Sequence, residues 1–127
     1  MRKCGMLEEV AWLEINNDGQ TVHLYFDSLT GCYLAYGLSA YCASVVASFV
    51  SFSDELQMPV VVLDRNAVGL LMQKMEPLEY TPQKYYRLRM NRQVDLPSYH
   101  AWADAIHNAQ FSKHNSQFTM TMHKHNV

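Results

Sequence analysis

A chain of 127 residues with a formal charge of −2 suits one domain over 1–127, and its near-neutral balance excludes a broad affinity for nucleic acid or membrane surfaces. About half of it is hydrophobic (49%), so a chain of this size buries roughly two-thirds of its unfolded surface and folds without staples. Three cysteines (Cys4, Cys32 and Cys42) are too few for a disulfide framework, and Arg2 and Lys3 have no apolar run behind them before Glu8 and Glu9, so a cytoplasmic location is expected.

The opening reads as antiparallel β structure. Val10 to Asn16 alternates around Trp12, Leu13 and Ile15, and Asn17-Asp18-Gly19 supplies residues that tolerate positive φ. Thr21 to Asp27 alternates cleanly, with Val22, Leu24 and Phe26 on one face and His23, Tyr25 and Asp27 on the other. These two segments are expected to form a hairpin. A second turn at Ser28-Leu29-Thr30-Gly31 leads to a third strand, Cys32 to Tyr36.

No charged residue occurs between Asp27 and Asp54. The most apolar part, Leu38 to Phe52, is too short and too rich in serine to cross a bilayer, which takes about 20 mostly apolar residues. Ser39 can cap a helix over 39–52, because Tyr41, Val45, Phe49 and Phe52 recur at helical spacing. The poor helix formers Val45, Val46 and the serines support a strand instead. The helix is the preferred reading, since small residues recur at the same spacing.

Pro59 to Leu63 is a short apolar, β-branched run, the pattern of a strand covered on both faces. Asp64 or Asn66 can cap a helix carrying Val68, Leu71, Met72 and Met75, which stops before Pro77. A loop with Pro77 and Pro82 follows. Lys84 to Arg92 alternates again, with Tyr86, Leu88 and Met90 opposite Tyr85, Arg87 and Arg89. Asp95 and Pro97 start a helix with Tyr99, Trp102, Ala103 and Ile106 inward, ending near Gln110. Gln117 to His125 reads as a last strand. The expected architecture is α+β, in the order β-β-β-α-β-α-β-α-β, with a mixed, mostly antiparallel sheet and helices packed on one face.

Several groupings carry possible chemistry. His100, Asp104 and His107 share one helix face, and imidazole with carboxylate is a donor set for zinc or iron. That face is also the solvated one, and residues seven apart lie about 10 Å apart along the axis, too far for one ion. His123 and His125, with His114 upstream, form a second histidine group. Asp64 ends a buried strand, where a carboxylate can face a cleft, but serving as a helix N-cap is its simpler role. A metal-dependent hydrolase would draw on Asp64 or on the His100/Asp104/His107 face. Cys32 and Cys42 sit among apolar neighbours, the setting of inert thiols rather than nucleophiles. There is no Gly-rich phosphate loop and no Gly-x-Ser-x-Gly elbow.

Lys84, Tyr85, Arg87, Arg89 and Arg92 lie within nine residues that contain no acid. Arginines alternating with aromatics can meet phosphates and stack bases. The competing reading pairs these arginines with Glu14 or Asp27 across the sheet. Ala40, Ser44, Ala47, Ser48 and Ser51 form a small-residue row on the uncharged helix, suited to the core or to a subunit interface. No complete catalytic set and no cofactor motif emerges. The leading expectation is a non-enzymatic binding or regulatory module, acting as a homodimer on a protein partner or small ligand. Nucleic acid through the Lys84–Arg92 strand is the alternative.

Overall fold

A computed structural model describes the backbone of residues 2–110 and the side chains of residues 8–110. In chain order the elements are α1 (Arg2–Ile15), β1 (Thr21–Asp27), β2 (Cys32–Tyr36), α2 (Gly37–Ala43), a 3-10 turn (Ser44–Val46), β3 (Phe49–Ser53), β4 (Met58–Leu63), α3 (Arg65–Lys74), β5 (Glu76–Thr81), β6 (Tyr85–Arg89) and α4 (96–110). The six strands form one sheet in the order β3-β4-β2-β1-β6-β5, antiparallel at every pairing. The fold is α+β.

Strand alternation divides the sheet into two unlike faces. On one, Val22, Leu24, Ala35, Val61, Leu63 and Leu88 are buried beneath Ala40 and Ala43 of α2, Ala67, Val68 and Leu71 of α3, and Trp102 of α4. On the other, the register Tyr25↔Tyr85 and His23↔Arg87 brings polar and aromatic side chains of β1 and β6 side by side. β4 is central and mostly buried, as its continuous apolar run implies. Asp64 caps α3, its carboxylate accepting from the Ala67 N–H at 2.8 Å. Asp95 plays the same part for α4, accepting from the Ser98 N–H at 3.1 Å.

Three expected elements are corrected. Residues 10–15 are the end of helix α1, not a strand, so the first hairpin is β1–β2, and the turn from Asn16 through Asn17-Asp18-Gly19 joins helix to strand. The buried stripe of α1 is Val10 and Glu14, four apart, while Trp12 and Ile15 face outward. A carboxylate in the buried stripe and two large apolar side chains outside it erase the usual helical signature. The turn itself behaves as read: Gly19 adopts φ +85° and its N–H donates to Asn17 Oδ1.

The single helix over 39–52 is the second correction. α2 ends at Ala43, a 3-10 turn follows, and Phe49–Ser53 pairs with β4. Its N-cap residue, Tyr36, makes no side-chain cap, and the β-branched Val45 and Val46 disfavour continuation. The interface row therefore does not exist as a row. Ala40 is inside the core, Ser44 bonds to the Tyr41 carbonyl, Ala47 packs on the core, Ser48 bonds to the Val62 carbonyl, and Ser51 bonds to Gln110.

The third correction is the loop around Pro77, which is edge strand β5. Proline is tolerated there because an edge strand leaves half of its donors unused. The expected element order is replaced accordingly, and the last strand expected at 117–125 lies outside the described residues. At the opposite edge, the Gln110 side chain engages β3 like a strand: Phe52 N–H donates to Oε1 at 2.9 Å and Nε2 donates to the Phe52 carbonyl at 3.3 Å. Among the described residues no helix is long and apolar enough to cross a membrane.

Candidate binding groove

The polar face of the sheet is the floor of an open groove of about 1030 Å³. β1 and β6 supply His23, Tyr25, Tyr85 and Arg87; α1 supplies a wall with Val10, Trp12 and Leu13; Glu9, Glu79 and Lys84 stand at the rim. Period-two alternation places the floor residues there as a necessary counterpart of the core residues Val22, Leu24 and Leu88 on the same strands.

The floor is an aromatic cluster. The Tyr25 ring lies 5.4 Å from that of Tyr85 and 6.2 Å from that of Tyr36, centroid to centroid, and His23 stacks on Tyr85 at 6.0 Å. His23 Nδ1 and the Tyr85 hydroxyl are hydrogen-bonded at 2.6 Å. The Tyr25 hydroxyl is buried without a partner among the described residues. Burial favours the uncharged form of each of these groups. It holds His23 below the ordinary histidine value, assisted by the Arg87 charge, raises Tyr25 strongly, and pushes Tyr85 up to about 12. The floor thus presents neutral phenols and a neutral imidazole, with no activated nucleophile. The arrangement suits recognition by hydrogen bonding and apolar contact.

Of the cationic strand, Lys84, Tyr85 and Arg87 line the groove. Arg89 and Arg92 are exposed and do not line it. The arginines find acidic partners, though not Glu14 or Asp27: Arg87 Nε lies 3.6 Å from Glu79, and Arg89 Nη1 lies 3.8 Å from Asp18. Neither Glu79 nor Asp18 suggests itself in the sequence, because β5 and the α1–β1 turn approach the arginines only in the folded chain. His23 and Tyr25 carried one signal, their alternation opposite Val22 and Leu24.

His100, Asp104 and His107 are exposed along α4, and the His107 ring lies 4.6 Å from that of Phe52. Among the described residues, no three His, Cys, Asp or Glu side chains gather into a metal-binding group. His114, His123 and His125 lie outside the described residues. Asp64 is occupied in capping α3. Cys32 and Cys42 are free and half-buried, and burial pushes the Cys42 thiol up to about 12, far from a reactive thiolate. Comparison with known families, curated proteins and solved structures finds no match to this chain.

Proposed function

We propose that this chain is a non-enzymatic binding module that takes a protein segment in the groove between α1 and the β1–β6 strands, and that it works as a homodimer. The observation that carries the reading is the groove itself: about 1030 Å³ of open space over uncharged aromatic side chains, with Trp12 on its wall 64% exposed. That volume is at the upper end of what a small ligand uses, and the space is open enough for a chain to pass through. The free thiols Cys32 and Cys42 favour a reducing compartment, the cytoplasm.

The dimer reading rests on the α3–β5 side. Leu70 of α3 (46% exposed) and Leu78 and Tyr80 of β5 (39% and 55%) leave apolar surface in solvent. Every residue of β5 is exposed, whereas the outer main chain of β3 is already engaged by Gln110 at Phe52. Sedimentation velocity at micromolar concentration is expected to give twice 14.7 kDa, and Leu70→Glu to give a folded monomer. A wild-type chain that sediments only as a monomer overturns the dimer. Panning a displayed peptide library on the protein tests the groove. Selected peptides should lose binding to Trp12→Ala and Tyr85→Ala while Leu70→Glu retains them. Peptides indifferent to both groove substitutions, or none selected, overturn the groove reading.

A further inference from the structure

Glu14 is 6% exposed and, among the described residues, the one buried acidic side chain. It projects from the last turn of α1 onto the start of α2. Ser39 N–H donates to Oε1 at 3.1 Å, the Ser39 hydroxyl is bonded to Oε2 at 2.5 Å, and Asn17 Nδ2 donates to Oε1 at 3.3 Å. The same Ser39 oxygen accepts the His23 N–H at 2.9 Å, so the contact reaches the strand that forms the groove floor. Gly37, at φ +56°, permits the approach: a Cβ there would meet Glu14 Cβ at 3.2 Å and Met58 Sδ at 3.1 Å.

Among the described residues no cation accompanies this carboxyl. The titratable groups near enough to feel its charge are Tyr25 of β1, Tyr85 of β6, Cys42 of α2 and Tyr99 of α4, all neutral or anionic when they titrate. Glu9 of α1 acts on Tyr25 in the same sense, and His23 offers only its main-chain N–H. Ser39 N–H, the Ser39 hydroxyl and Asn17 Nδ2 all donate to the carboxyl and favour its charged form, but burial with no counter-ion among the described residues opposes that form more strongly. Ionisation places a charge without a counter-ion there, which is costly in a buried site.

We propose that Glu14 is a pH-operated latch, holding α1, one wall of the groove, against α2 and β1 when protonated and releasing it on ionisation. Burial raises its pKa from 4.5 to about 7, against the pull of the Ser39 and Asn17 hydrogen bonds. A released α1 exposes the carboxyl and returns it to its ordinary value. Docking is therefore strongest below about pH 4.5 and weakens as pH rises to about 7, by about tenfold per pH unit. The opening of the groove follows if the binding reading holds; the latch itself stands on the α1–α2 contact alone.

Hydrogen exchange tests it without a ligand. Protection factors of amides 8–15 are expected to fall about a hundredfold from pH 5 to pH 8, two units of the linkage slope, while amides of β1 and β4 hold theirs. Glu14→Gln, which keeps an acceptor and a donor without a charge, should keep α1 protected and flat across that range. Protonation of His23 at low pH acts in the opposite direction and survives in that variant. Side-chain carboxyl NMR of the wild-type protein gives an independent reading, with a Glu14 midpoint near 7, where the loss of protection levels off. A wild-type α1 equally protected at both pH values, an unchanged slope in Glu14→Gln, or a Glu14 midpoint below 5 overturns the latch. Peptide binding lost with the latch intact overturns the groove alone.

Discussion

The two faces of the central strands differ more than any two elements of the molecule. Along β1, Val22 and Leu24 enter a closed core, while His23 and Tyr25, their immediate neighbours, line open space. One face is filled by side chains of three helices. The other is only walled, by α1, which meets the rest of the protein through α2, β2 and a buried carboxyl. A closed core and an open groove are thus laid on opposite sides of the same backbone, and substitutions one residue apart should report on different properties.

The largest effect should come from the core side. Leu24→Ala empties a fully buried position between strands and is expected to cost about 2–5 kcal/mol in chemical denaturation. A cost under 1 kcal/mol would mean the core is not closed at β1. Next, Asp64→Ala removes the α3 cap and should cost about 1 kcal/mol, with Asp64→Asn recovering most of it. A loss that Asn does not recover would give Asp64 a part beyond capping.

On the groove side the expected stability changes are smaller. Arg87→Ala breaks a half-exposed pair with Glu79 and should change stability by less than about 1 kcal/mol. Fluorescence anisotropy with short single-stranded RNA is expected to show no binding at low salt. Salt-sensitive binding lost in Arg87→Ala and Arg89→Ala would instead favour nucleic acid. Tyr25→Phe should be smallest of all: deleting a buried hydroxyl that has no partner among the described residues leaves stability unchanged or slightly improved. A clear loss of stability in that variant would reveal a hydrogen bond to Tyr25.

The sequence reads clearly where burial follows polarity. β1, β2, β4, α3 and α4 alternate or repeat as their faces require, and Asp64 and Asp95 mark the helix starts they cap. It misleads where burial and polarity part. Glu14 is buried while Trp12 and Ile15 are not, which disguises α1, and β5 carries two acids and a proline because it is an edge. Tyr85, Arg87 and Lys84 were recognisable as a group, yet the groove needed α1 as its wall, and nothing local in the Val10–Asn16 pattern announces that.

Gln110 has a consequence for assembly geometry. A sheet with two free edges can add copies at both and grow without limit, whereas a sheet blocked at one edge can add a copy only at the other. By satisfying the outward main chain of Phe52 with a side-chain amide, α4 removes β3 as a template at that point. If copies associate through β5, as proposed, the same edge is used on both partners and a two-fold axis consumes it. Such an assembly would close at two subunits, with no growing end from which a filament could extend.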